Sequence, residues 1–350
     1  MFYHIITHTE CNLECKYCVR EEWGEIDERY DYSIPCKISY DISKLKSFVT
    51  CEDYVTFYGG EPLLAIDNIK KIMDTIKCKG FMIQTNGPLL KSLGEYASMF
   101  HTILVSIDGD EEITDKNRGE GVFKKIMENI VWLKENGFDG ELIARMTITE
   151  GSDLYEQVLF LSQHFDSIHW QLDAMFFEQR NEWFDKYNSD VTRLIDYWST
   201  CMSKGKVLRW YPFLVVMSDL LHNRKAKLRC GSGYANYTIT TNGKISACPI
   251  MCGMKDYYCG DLDSEELKEL YVSEPCSSCN ILDICGGRCL YSNITKLWDS
   301  KDYGELCGTI KHFVKCLVSK KEEVSRLIEK GVISLEYFDH LKFNGVEVIP

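Results

Sequence analysis

The sequence predicts an α/β fold: a partial (β/α)6, TIM-like barrel followed by a small cysteine-rich domain. Three observations predict it. Short β-branched or aromatic runs alternate with helical patterns through the first half of the chain. Six such runs are found, too few for a closed eight-stranded barrel. Nine of the seventeen cysteines then crowd into residues 230–307, where long apolar runs are few, so metal rather than a large core is expected to hold that part together.

The expected strands are FYHIIT (2–7), DYVTFY (53–58), GFMIQT (80–85), TILVSI (102–107), ELIARMTI (141–148) and SIHWQL (167–172). Between them, residues 120–135 place Val122, Ile126, Ile130 and Leu133 on one helical face, and Asn136-Gly137 stops the helix. Residues 152–164 repeat the pattern, with Ser152 or Asp153 as N-cap and Leu154, Val158 and Leu161 facing inward. The barrel is expected to occupy residues 1–175. A helical bridge (176–228) follows, with segments at 189–204 and 212–222, then the cysteine-rich domain (229–310). The tail, 311–350, carries a helix over 319–330 with Val324, Leu327 and Ile328 on one side and Gly331 as its C-cap.

Composition narrows the function classes. With 45% hydrophobic and 27% charged residues and seven prolines, the 350-residue chain is an ordinary globular protein, long enough for a sizeable core. No stretch approaches a membrane span, and MFYHIITHTE lacks the basic and apolar regions of a signal or anchor, so a cytoplasmic location is expected. A reducing cytosol does not maintain disulfides, and the cysteines therefore read as ligands. The net charge of −13 argues against a nucleic-acid partner, which needs a basic surface.

HTECNLECKYCVR (8–20) places Cys11, Cys15 and Cys18 just after the first strand, at the edge where α/β folds assemble their sites. Three thiolates can hold three irons of a cubane and leave the fourth without a protein ligand. A zinc knuckle completed by His4 or His8, or plain buried thiols, is the bland alternative. YGGEP (58–62), QTNG (84–87) and SIDG (106–109) end the next three strands. DKNRGEGVF (115–123) follows, and Arg145 interrupts the apolar fifth strand, where a charge must find a partner.

The spacing Cys-x3-Cys-x2-Cys with Tyr17, together with these strand-end stretches over residues 1–175, resembles the radical S-adenosylmethionine (SAM) superfamily. The resemblance implies a [4Fe–4S] cluster on Cys11, Cys15 and Cys18, with Tyr17 beside it. The unique iron of that cluster chelates SAM, and an injected electron releases a 5′-deoxyadenosyl radical. Gly59, Gly60 and Glu61 would bring backbone polar groups to the SAM ammonium. Gln84, Asn86, Ser106 and Asp108 would surround the ribose, although loop capping is equally open to Gln84, Asn86 and Asp108. Arg118 is available for an anionic group or a surface salt bridge, and Arg145 for the SAM carboxylate.

From Cys230 the spacing is Cys-x12-Gly243-x4-Cys248, then Cys276-x2-Cys279-x5-Cys285-x3-Cys289, then a gap to Cys307. It resembles the SPASM extension of radical SAM enzymes that mature peptides and proteins. That resemblance implies two auxiliary [4Fe–4S] clusters. One would sit on Cys276, Cys279, Cys285 and Cys307, and the other on Cys230, Cys248 and Cys289, with Cys252 or Cys259 near enough in sequence to complete it or its fourth iron left open for a substrate group. A zinc ribbon on Cys276, Cys279, Cys285 and Cys289 is the alternative.

Sulfatase maturases share this architecture but carry an acid where this chain has Pro249, which argues against formylglycine formation. Asp173 and Tyr211 are the substrate-side catalytic candidates that the sequence offers. The first cluster cysteine is residue 11, so no leader-binding domain is expected upstream of it. The expected function is hydrogen-atom abstraction from a residue of a peptide or protein, leading to oxidation or crosslinking. An electron donor such as ferredoxin or flavodoxin would be required. The rival readings are a radical SAM dehydrogenase of a small alcohol or sugar, and a non-catalytic iron–sulfur or zinc scaffold.

Overall fold

A computed structural model of the chain describes residues 1–18, 27–173, 181–295 and 300–350. They pack into two compact units, each assembled from two stretches: Met1–Ile143 with Gly231–Tyr271, and Ala144–Cys230 with Val272–Pro350. Along the chain the strands are β1 (Phe2–His8), β2 (Tyr54–Gly59), β3 (Gly80–Thr85), β4 (Phe100–Ser106), β5 (Glu141–Ile148), β6 (Ser167–Leu172), β7 (Asn236–Ile239), β8 (Lys244–Ser246) and β9 (Tyr258–Asp261). The six expected runs are β1 to β6, and the α/β fold with a parallel sheet is the predicted one.

In the first unit the strand order is β4-β3-β2-β1-β7-β8-β9. β1 pairs in parallel with both β2 and β7, and β2–β3 and β3–β4 are parallel too. β1 has a neighbour on each side, and all seven of its residues are buried, the polar ones included. Its polar residues find partners: His4 Nδ1 lies 2.8 Å from Asn236 Oδ1, and the Thr7 hydroxyl donates to the Pro62 carbonyl at 3.1 Å. The parallel alignment delivers the carboxyl ends of β1 to β4 to one edge. Ile5, Val55, Phe57, Ile83 and Ile103 form the fully buried centre of this sheet. The helix Val122–Glu135 buries the expected Val122, Ile126, Ile130 and Leu133 and ends at Asn136.

β7, β8 and β9 were not among the expected strands. β7 and β8 form an antiparallel hairpin whose turn runs from Thr240 to Gly243. Gly243 adopts φ 82°, which glycine takes without strain, and its N–H donates to the Thr240 carbonyl at 3.0 Å.

In the second unit β6 lies beside β5. Helices Asn181–Ser203, Tyr211–Leu221 and Ser300–Glu329 enclose an aromatic core in which Trp170, Trp198, Trp210, Phe213, Phe313 and Phe338 are fully buried. The tail helix starts at Ser300, well before the expected 319. Gly304 and Gly308 obscure its apolar periodicity, and a Cβ at either would meet nothing within 4 Å, so both lie where a helix tolerates them. Gly331, with φ 67°, ends this helix as expected. Among the described residues no helix is long and apolar enough to cross a membrane.

Candidate functional site

The cysteine loop leaves β1 at His8 and is fastened first by β2. Gly60 N donates to the His8 carbonyl and Glu61 N to the Glu10 carbonyl, both at 2.9 Å. A Cβ on Gly59 would come within 2.0 Å of the His8 carbonyl oxygen, and one on Gly60 within 2.3 Å of that of Glu10. The two glycines thus serve a close approach to the cysteine loop itself. Next comes Glu61, fully buried, whose carboxylate accepts from Leu63 N (3.0 Å), the Thr85 hydroxyl (2.7 Å) and Asn86 N (2.8 Å). Its oxygens are committed to the polypeptide, and they hold the end of β3. Asn86 passes this order on: Nδ2 donates to Asn12 Oδ1 at 2.8 Å and to Cys11 Sγ at 3.4 Å.

The far side of the loop rests on the helix Glu111–Arg118. Lys16 N donates to the Asn117 carbonyl at 2.9 Å, and the Tyr17 hydroxyl donates to Asp108 Oδ2 at 2.8 Å. Asp108 is fully buried and pairs with Arg118, Nη2 to Oδ1 at 2.8 Å and Nε to Oδ2 at 3.1 Å. The Arg118 guanidinium also lies 5.4 Å from the Tyr17 ring centre. Arg118 is therefore no surface salt bridge; it neutralises a buried carboxylate under the loop. Burial pushes the Cys15 thiol up, and the positive charge of Arg118 draws it back down.

Cys11 and Cys18 open on a cavity of about 800 Å³, shared with Gly59, Gly60, Pro249 and Cys252. The cavity belongs to the first unit. Gln84 and Ser106, at the ends of β3 and β4, are half-buried and make no side-chain hydrogen bond with the described residues. Sequence reasoning missed Tyr30, Asp31, Tyr32 and Tyr58, which also line the cavity. The run Arg29-Tyr30-Asp31-Tyr32, a cluster of polar aromatics shortly after the cysteines, was the available signal.

The three thiols of this loop fit an iron–sulfur cluster. Cys11 Sγ already receives hydrogen bonds at 3.4 Å from Leu13 N and from Asn86 Nδ2, the arrangement a thiolate needs. The imidazoles of the zinc-knuckle alternative are engaged elsewhere, His4 with Asn236 and His8 Nδ1 with the N–H of Glu10 at 3.1 Å.

In the second unit Cys276, Cys279, Cys285 and Cys307 line a single cavity, together with Ile281 and Leu306. Among the described residues no three Cys, His, Asp or Glu side chains approach closely enough to share one metal ion. Four thiols on one cavity supply the ligand number that a [4Fe–4S] cluster takes. Cys230 and Cys289 belong to the second unit and Cys248 to the first. Cys252 lines the 800 Å³ cavity, whereas Cys259 is buried in β9 and directs its thiol to the Tyr257 carbonyl at 3.7 Å.

The remaining candidates lie in the second unit. Arg145 Nη2 donates to Gln171 Oε1 at 3.3 Å. Asp173 is buried just after β6. Tyr211 is fully buried at the start of a helix, and its hydroxyl accepts from Asn344 Nδ2 at 3.1 Å, a core position rather than a cavity wall.

Fold and cysteine loop together define a class. Residues 5–154 match the model of the radical SAM superfamily, and a SPASM-like cysteine-rich region lies behind them. Over 92% of its length it is 21% identical to the radical SAM cyclopropyl synthase TigE of Paramaledivibacter caminithermalis, covering 75% of that protein. Native anSMEcpe with bound AdoMet and Cp18Cys peptide superposes with a TM-score of 0.71 at 18% identity, over 93% of this chain and 99% of that one. Streptococcus suis SuiB bound to S-adenosylmethionine gives 0.54 at 18% identity, over 84% and 72%. At such identities these likenesses establish the fold.

Proposed function

We propose that this chain is a radical SAM/SPASM enzyme that acts on a residue of a peptide or protein. The observation that carries the reading is the cysteine loop, clamped by Gly59, Gly60, Glu61 and Asn86 and opening two of its thiols onto a cavity of about 800 Å³. That volume lies in the upper range for ligand sites and leaves room for a substrate side chain beside SAM. A [4Fe–4S] cluster with SAM would supply a 5′-deoxyadenosyl radical by reductive cleavage. Cys11, Cys15 and Cys18 would hold that cluster, while Gln84 and Ser106, whose side chains make no hydrogen bond with the described residues, would offer hydrogen bonds to the nucleoside. Asp108 and Arg118 pair with each other, and Asp108 accepts from the Tyr17 hydroxyl.

Peptide chemistry is supported by a solved neighbour that holds a peptide. Pro249 lines the cavity and has no proton to accept or give, which separates this site from a formylglycine-forming one. Two auxiliary clusters on the second cysteine field would take the electron that a substrate radical must lose on oxidation, with ferredoxin or flavodoxin as external donor.

The test is anaerobic cleavage of SAM to 5′-deoxyadenosine by the reconstituted protein. Cys15→Ala is expected to reduce it to background; undiminished cleavage would overturn the site. Deuterium transfer from a labelled peptide into 5′-deoxyadenosine then identifies the substrate.

A further inference from the structure

The cavity ringed by Cys276, Cys279, Cys285 and Cys307 contains groups that no ligand set requires. The Tyr303 hydroxyl stands 3.0 Å from Cys276 Sγ. Against a thiolate only the phenol has a proton to give, so Tyr303 is the donor. The backbone N–H groups of Gly287 and Arg288 point at the Cys285 thiol. They do so because Gly286, Gly287 and Arg288 have φ of 74°, 87° and 53°, a turn of successive left-handed residues that aims amides at an anion.

Arg288 is the unusual member. A non-glycine residue in this conformation is strained, and a third glycine would not be. The position nonetheless carries a guanidinium that lines the cavity, with Nε buried and unbonded among the described residues. Lys311 lines the same cavity but is exposed, so solvent screens its charge far more.

A cluster gains negative charge on reduction. Donors and buried cations near its sulfurs therefore stabilise the reduced form more than the oxidised one. We propose that Tyr303 and Arg288 are positioning residues that raise the reduction potential of the auxiliary cluster held by Cys276, Cys279, Cys285 and Cys307. Such a cluster is suited to accept an electron rather than to deliver one. The inference rests on the ligand assignment made above for that cluster.

The test is an anaerobic, EPR-monitored redox titration of the reconstituted full-length chain, with Cys11, Cys15 and Cys18 changed to Ala to remove the first cluster's signal. Cys276→Ala identifies the relevant signal by abolishing it. Tyr303→Phe, which keeps shape and fold, is expected to lower that signal's midpoint. At fixed potential the reduced-to-oxidised ratio should fall about tenfold, equivalent to about 59 mV for one electron. Arg288→Gln should move it in the same direction. If Cys276→Ala abolishes the signal and neither variant shifts it, the inference fails while the ligand assignment stands. If Cys276→Ala leaves iron content and signals unchanged, the ligand assignment itself fails, and the inference with it.

Discussion

Glu61 joins three pieces of the candidate site, because its one carboxylate receives Leu63, Thr85 and Asn86 at once. Burial pushes this carboxyl from 4.5 up to about 7, although all three donors pull the other way. The sign follows from linkage. A folded-state value above the unfolded one means that protonation favours the folded chain. Glu61's stabilising contribution is therefore fully present below about pH 4.5 and is lost as pH rises through 7, amounting to about 3 kcal/mol across the shift. Urea denaturation at several pH values between about 5 and 8 should show this decline in the wild type and a flatter profile in Glu61→Gln; parallel profiles would contradict it. Gly60 allows a second test at this scale. Its backbone would accept alanine, but the added Cβ would lie 2.3 Å from the Glu10 oxygen. Gly60→Ala should displace the cysteine loop, costing about 1–3 kcal/mol and lowering iron bound at the first site, as read by denaturation and iron analysis. The motif YGGEP was legible in the sequence. That its glycines meet the cysteine loop, and that its glutamate meets β3, was not, because both facts depend on segments far apart in the chain.

Among the elements, the helix Glu111–Arg118 is the second anchor of the loop, through Asn117, Arg118 and the buried Asp108. Arg118→Met would leave Asp108 charged and buried, with an expected loss of about 3–5 kcal/mol. Adding Asp108→Asn to that variant should recover part of the loss. A chemical-denaturation double-mutant cycle measures this, and strictly additive losses would show that the pair is not coupled. Strands β3, β5 and β6 fell where their β-branched runs placed them, since a strand buried on both faces displays its length as an apolar run. The hairpin of β7 and β8 escaped that reading because its strands are short and polar. Thr241-Asn242-Gly243 between NYTIT and KIS was the turn signal that announced it. Gly304 and Gly308 similarly hid the first half of the Ser300–Glu329 helix.

For the molecule as a whole, compactness does not follow the order of motifs along the chain. The stretch that matches the radical SAM superfamily ends at residue 154, yet β1 within it is completed by β7, more than two hundred residues later. The pairing runs Phe2↔Asn236, Tyr3↔Tyr237, His4↔Thr238 and Ile5↔Ile239, and His4 gains its buried partner from Asn236. A chain cut after residue 175 would keep the cysteine loop and all of its clamps. It would also expose the edge of β1 from Phe2 to Ile5, a stretch of buried and mostly apolar residues, and leave the His4 imidazole without Asn236. Exposed apolar edges recruit other chains. The shortened protein should therefore aggregate or elute as large species in size-exclusion chromatography under conditions where the full chain does not, even though every first-site cysteine is present. A monodisperse, natively helical product would show that β7 is dispensable to the first unit, and that the cysteine loop can be held by β2, β3 and the helix Glu111–Arg118 alone.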